Sequence, residues 1–266
     1  MVDAVDIKLN YTAFKAVLRR DYWVFRKDIK GNSVRIILQP FFFLVTFGFI
    51  LPKIRILPLE YADILLPGVI AISAMNAGIF SVAGPIVLSF DHKAEIMDHI
   101  LSPISIFTLA AEKIIFGALQ GLLSGTLIFL IGLLLLGSEA SIDLSRPWLV
   151  LVIVALTGMA FASMGLILGT SIHRPPIMWE TMFFILTPMM FFGGTFFPIK
   201  ALNVLHPRLE LLALIMPTTY ASEGIRGVLT PHVEHLNPAL AFAGLAFWVV
   251  ILFALGLKSF ERRAID

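Results

Sequence analysis

The sequence predicts an all-α integral membrane protein. It has six transmembrane helices, an N-terminal interfacial helix, a short cytoplasmic helix after the second span and an external re-entrant hairpin before the last. Three observations carry that prediction. Of 266 residues, 58% are hydrophobic and only 14% charged, more apolar surface than a soluble domain of this size can hide. The mean hydropathy is +0.92. The apolar residues also fall in long unbroken runs, where a membrane β-barrel would show roughly ten-residue alternating segments.

Residues 8–30 mix Phe14, Val17, Leu18, Trp23 and Phe25 with Lys15, Arg19, Arg20, Arg26 and Lys27. That stretch is too charged to span and suits a helix lying in the interface, with Tyr22 and Trp23 at headgroup level. It carries no compact apolar core with a small-residue cleavage site, so it does not read as a signal peptide. Gly31-Asn32-Ser33 turns the chain into the bilayer.

The first span covers about Val34 to Leu51, with Pro40 in its first turns, where a missing N–H does least harm. The second, Ile64 to Phe90, carries Pro67, Gly68, Asn76, Gly78, Gly84 and Pro85. Small residues permit close helix contact, and an Asn in hydrocarbon needs a partner.

Asp91 to Pro103 is a charged island between two apolar runs. Ile96, Met97, Ile100 and Leu101 recur at helical spacing on one face; Asp91, Glu95, Asp98 and His99 take the others. With Asp91 as N-cap and Ser102-Pro103 as stop, it reads as a short amphipathic helix on the membrane surface. A solvated connecting loop is the plainer alternative.

The third span, Ser105 to Leu136, exceeds the roughly 20 residues a bilayer needs. Its first turns hold Glu112-Lys113, the most membrane-embedded charges, which read as a structural pair or as gating charges. The fourth span runs from Trp148 to about Ile172 and is rich in Gly and Ala. After the turn His173-Arg174-Pro175-Pro176 comes the fifth, Met178 to about Phe197. Its Phe183, Phe184, Phe191, Phe192, Phe196 and Phe197 could line a cavity for an amphipathic substrate, aided by adaptable methionines; packing or lipid contact is the alternative.

Lys200 to Ala239 is too apolar for a solvated loop, yet its apolar piece Leu209 to Met216 is only eight residues. Two short helices dipping into the outer leaflet fit, because irregular backbone at depth must be buried in protein. Leu240 to Leu257 is the sixth span. With six spans, fourteen of the twenty Lys and Arg lie on the side of the termini. The positive-inside rule therefore places both termini and the Asp91–Pro103 island in the cytoplasm.

Chemistry-bearing patterns are sparse. His232, Glu234 and His235 sit in a Pro- and Asn-rich external loop without an HExxH helix, which favours a solvated loop over a metal site. There is no GxxxxGK[ST] loop for ATP. No cysteine is present, which excludes disulfides and thiolate chemistry. The spans offer no acid at mid-depth for a proton-coupled carrier. An intramembrane lipid-modifying enzyme would have only Asn76, Glu112, Lys113 and Gln120, at poorly matched depths.

The most specific signal runs from Ile185 to Arg226: LTP, then FFGGTFFPI, then MPTTYASEGIRG. This order resembles the signature region of the ABC-2 permease family, the membrane subunits of bacterial export ABC transporters. The drug- and lipo-oligosaccharide-export branch, with daunorubicin- and Nod-factor-type permeases, is the most similar. The resemblance covers nearly the whole chain, 1–266, as a single transmembrane domain. Residues 1–33 are its tail and interfacial helix, 34–257 its core and 258–266 its second tail.

The resemblance implies a bacterial inner-membrane exporter subunit that is not itself an enzyme and binds no cofactor. ATP and Mg would sit on two separate ABC ATP-binding subunits, and a second copy of the permease would complete a homodimer. The cargo implied is a membrane lipid or an amphipathic, lipid-linked or drug-like molecule; a lipid-linked polysaccharide of the O-antigen or teichoic-acid type is the alternative. Nucleic acid is no partner. Asp91, His92, Lys93, Glu95, Ile96, Met97, Asp98, His99, Ile100 and Leu101 would form the coupling helix, with His173 and Arg174 as a second contact. Asn76, Phe80, Phe184, Phe191, Phe192 and Phe196 would line the substrate path. Pro217, Tyr220, Glu223 and Arg226 would form the outer gate.

Overall fold

The computed structural model describes residues 4–27, 37–91, 105–137, 140–172 and 174–265. Ten helices account for most of them. In chain order these are α1 (Ala4–Lys27), α2 (Ile37–Lys53), α3 (Tyr61–Asp91), α4 (Ile106–Leu136) and α5 (Pro147–Ser171). There follow α6 (Pro175–Phe192), α7 (Ala201–Leu205), α8 (Pro207–Leu214), α9 (Pro217–Leu229) and α10 (Pro238–Ile265). Among the described residues four helices, α3, α4, α5 and α10, are long and apolar enough to cross a membrane, and α2 is a shorter apolar helix. The chain is an all-helical, multi-pass membrane protein.

Proline sets many of the boundaries. α5, α6, α8, α9 and α10 each begin on a proline, where the absent N–H belongs to a group that has no helical acceptor anyway and the fixed φ suits the first turn. α4 starts differently: the Ser105 hydroxyl accepts from the Thr108 N–H at 3.1 Å, an ordinary side-chain cap.

α3 is the central rod, nearly encased by α4, α5 and α9. It meets α4 and α5 at a seam of glycines. A Cβ added to Gly78 would lie 2.7 Å from the Gly158 carbonyl oxygen, and one added to Gly121 would lie 2.6 Å from the Gly158 Cα. The backbones therefore touch where side chains would normally hold helices 8–10 Å apart. One buried polar contact, Ser73 to Ser124 at 2.7 Å, lies along the same seam.

Two ends of the bundle are distinct. At the Tyr61 end gather the start of α3, the α4–α5 connection, the turn after α6, and α7 to α9. The Ser141 N–H donates to Asp63 at 2.9 Å, and the Asp143 N–H to the Leu229 carbonyl at 2.7 Å. In that connection the Ser145 N–H and hydroxyl hold the Asp143 carboxyl below the usual carboxylate range. At the Asp91 end, Thr170 of α5 meets Ser259 of α10 at 2.6 Å. There α1 lies against the start of α4, with Phe25 edge-on to Phe116.

Several expectations change in detail. Asp91 is the last described residue of α3, one residue beyond the expected end of the second span. The island from His92 to Leu101 and His173 lie outside the described residues. α2 contains a π-helical stretch, Leu44–Ile50, shortly after Pro40, whose ring disturbs the preceding ladder. The fifth apolar helix starts at Pro175 and stops at Phe192. Phe196 and Phe197 thus belong to the following turn. The segment from Lys200 to Ala239 forms three short helices, α7 to α9, instead of two, because Pro207 and Pro217 each restart the chain.

The seam makes a sharp prediction. Gly158→Ala puts a methyl group 2.8 Å from the Ala118 carbonyl oxygen, so backbone must move, at a cost of about 1–3 kcal/mol. Gly224→Ala meets only side-chain atoms at 3.4 Å or more and is expected to change stability by less than about 1 kcal/mol. Melting of the two purified variants in detergent separates these outcomes.

Candidate functional site

A buried polar knot at the Tyr61 end is the most elaborate site in the structure. It is built on α9. Of that helix, Pro217, Thr218, Thr219, Ala221, Ser222, Glu223, Gly224, Ile225, Arg226 and Leu229 are all buried. Glu223 and Arg226, three apart and thus on one face, form an ion pair with both side chains fully buried.

Each partner also serves backbone. The Ile199 N–H donates to Glu223 Oε1 at 3.1 Å, and the Leu236 N–H to Oε2 at 2.7 Å. Arg226 Nη2 donates to the Gly194 carbonyl at 2.6 Å and to the Ile64 carbonyl at 3.0 Å. Pro67 explains why α3 has one carbonyl, that of Asp63, to spare there. It lacks the N–H that would close on Asp63, and the Thr230 hydroxyl donates to the Asp63 carbonyl instead, at 3.0 Å.

The remaining α9 hydroxyls do similar work. Thr218 donates to Met189 at 3.0 Å and Ser222 to Gly193 at 2.6 Å, closing the end of α6. Thr219 and Tyr220 donate to Ala213 and Leu214 at 2.5 and 2.6 Å, closing the end of α8. Gly194 turns the chain with φ +73°, a conformation that suits glycine; a Cβ there would stand 3.0 Å from the Ser222 Oγ. Arg226 Nε and the Thr195 hydroxyl have no partner among the described residues. At the rim, His232 Nε2 lies 2.9 Å from Asp63 Oδ2.

The structure thus brings Pro217, Tyr220, Glu223 and Arg226 together and supplies the Glu223–Arg226 pair that spacing alone left open. Thr218, Thr219, Ser222, Thr230 and Asp63 were missed as members. The signal for Thr218, Thr219 and Ser222 was available in the PTTYASE run, which sets hydroxyls on several faces of a helix too short to span; Asp63 and Thr230 lie outside that run.

The substrate-path residues divide. Phe184 is 81% exposed on α6, and Phe191 and Phe192 are also exposed there. Phe196 instead packs in an aromatic cluster, 5.5 Å from Phe43, 6.0 Å from Phe47 and 5.4 Å from Phe191. Phe80 of α3 stacks on Trp179 of α6 at 5.6 Å. Asn76 is buried in α3.

At the Asp91 end, Lys113 bridges Asp21 of α1 and Glu112 of its own helix. Glu112 is 0% exposed, and neither of its carboxylate oxygens has a hydrogen-bond partner among the described residues. The bridge ties the amphipathic α1 to a spanning helix, and Asp21 had not been recognised as its second acid. Arg174 is exposed just before α6.

The knot should tolerate loss of both charges better than loss of one. Arg226→Met leaves a buried carboxylate uncompensated and is expected to destabilise by about 3–5 kcal/mol. The double variant Glu223→Gln/Arg226→Met should recover part of that loss in a thermal-melting double-mutant cycle. Additive effects of the two single changes would show that the pair does not hold the knot.

Residues 12–230 match the ABC-2 type transporter family. Nodulation protein J of Sinorhizobium fredii (strain NBRC 101917 / NGR234) is 26% identical over 256 residues, covering 94% of each chain. The Nodulation protein J of Bradyrhizobium diazoefficiens is 26% identical over 260 residues, covering 96% of this chain and 95% of its own. That of Neorhizobium galegae is 23% identical over 253 residues, covering 93% and 92%. With the match spanning α9 and every helix that α9 fastens except α10, the chain belongs to the ABC-2 type transporter family.

Proposed function

We propose that this chain is the membrane subunit of an ATP-driven exporter in a bacterial inner membrane. It moves an amphipathic, lipid-linked or drug-like cargo outward by alternating access. The observation that carries this reading is the family match over residues 12–230. The full-length similarity to the nodulation proteins supports the lipo-oligosaccharide branch.

Six crossings follow if α2 and α6 also span. α6 has 18 residues and so reaches about 27 Å, close to the roughly 30 Å of a bilayer core. Their contacts support this: the turn after α6 and the later half of α2 both sit at the Tyr61 end, where Tyr61 donates to the Phe196 carbonyl at 2.9 Å. With Lys and Arg concentrated on the opposite side, the Tyr61 end faces outward and both termini lie in the cytoplasm.

Two copies of the chain pair, and two ATP-binding subunits carrying ATP and Mg dock on residues 91–101, with His173 and Arg174 as a second contact. The chain itself hydrolyses no ATP. Closure of the ATPases displaces the charged island, and the adjoining starts of α4 and ends of α3 transmit the movement. The α9 knot keeps the outward end shut until the helices rock.

Glu95→Lys and Asp98→Lys should each lower ATPase activity and transport in the complex co-purified with its ATP-binding partner. Reversing an interface charge sets the expected loss at about fivefold or more, with membrane insertion unchanged. Undiminished coupled turnover in both variants would remove the island from the coupling contact.

A further inference from the structure

One face of α6 is covered by no described element. Trp179, Glu180, Phe183, Phe184, Thr187 and Pro188 line an open, largely apolar groove of about 630 Å³. The aromatic side chains stand well out of the fold: Phe183 is 70% and Trp179 43% exposed. An apolar groove of this kind in a membrane is ordinarily filled by acyl chains, so its polar groups decide what else it selects.

Those polar groups have one character. Glu180 is the only acid in α6, and it has no ion-pair partner among the described residues. Pro188 lacks the N–H that would close on the Phe184 carbonyl, so the helical ladder is one bond short beside the groove. Thr187 adds a hydroxyl; its neighbour Thr181 already donates within the helix, to the Ile177 carbonyl at 2.8 Å. Trp179 lies beside Glu180, fixed by its stack on Phe80, and an indole face attracts cations. The groove therefore offers a negative charge and a π-face, with apolar rings beyond them toward the Tyr61 end.

We infer that the α6 groove binds the cationic or amine-bearing head of an amphipathic cargo. The head rests between Glu180 and Trp179, and the tail lies along Phe183, Phe184 and Pro188. This rests on the export reading above and narrows its substrate class. An anionic head is disfavoured, because it would meet the Glu180 carboxylate with no described cation in the groove. The place of Glu180, in the second turn of α6 from the Asp91 end, suits a head that enters from the inner leaflet at interfacial depth.

Three pyrene-labelled probes with one alkyl tail test the inference: a trimethylammonium, a neutral alcohol and a carboxylate. Binding is measured to the purified chain in nanodiscs of zwitterionic lipid. The ammonium probe should bind about tenfold more tightly than the alcohol. Glu180→Gln should abolish that preference while leaving alcohol binding intact, and Glu180→Lys should invert it toward the carboxylate. Phe184→Ala should weaken all three.

Equal binding of ammonium and alcohol to the native chain, with Phe184→Ala still weakening both, would overturn the head-group assignment and keep the groove as a cargo path. No saturable binding of any probe, with transport by the complex unaffected in Phe184→Ala, would overturn the groove as a cargo site and leave the export reading standing.

Discussion

Irregular backbone in a membrane must find its hydrogen-bond partners inside the protein, and this fold depends on how that demand is met. Between the end of α6 and the start of α10 the chain turns repeatedly, and each turn frees carbonyls and amides that lipid cannot satisfy. The side chains of α9 answer them one by one. Hydroxyls close the ends of α6 and α8. The carboxylate of Glu223 takes the amides of Ile199 and Leu236. The guanidinium of Arg226 takes the carbonyls of Gly194 and Ile64. Burying an ion pair is costly in itself; here each charge also closes backbone groups that would otherwise stand unsatisfied. Arg226 Nε and the Thr195 hydroxyl have no partner among the described residues, so the arrangement is not saturated.

The rest of the core obeys a different rule. Helices in lipid gain little from apolar burial against one another and gain instead from close packing. Gly78, Gly121 and Gly158 let α3, α4 and α5 approach backbone to backbone. Gly165 extends the seam, since a Cβ there would lie 2.6 Å from the Ile79 carbonyl oxygen. That contact leaves little slack for α3, α4 and α5 to slide past one another.

Much of this was legible in the sequence because membrane helices announce themselves by composition. The apolar runs located every long helix, the glycines of the second and fourth spans marked the seam, and the run from Ile185 to Arg226 marked the family. Boundaries were less legible. Nothing between Pro85 and Asp91 signals where α3 ends, and Pro175 starts α6 earlier than the hydropathy of its first turn suggests. The site was half-visible: Glu223 and Arg226 stood out as charges among apolar residues. Their backbone partners did not, because the amides of Ile199 and Leu236 and the carbonyls of Gly194 and Ile64 leave no mark on the sequence of the helix that serves them. Asp21 was hidden for a similar reason, as one acid among many charges in a helix whose partner lies far along the chain.

The turn at Gly193-Gly194 has a mechanical corollary. It is pinned to α9 through Ser222 and Arg226, whereas the Pro175 half of α6 rests on packing by Met178 and Met182, with no described hydrogen bond to another helix. A rod fastened at one tip and merely leaning at the other is a pivoted lever. A ten-degree swing about the pinned tip would carry the loose one through about 5 Å. The same stroke would widen or narrow the space in front of Trp179 while hardly disturbing the fastened tip.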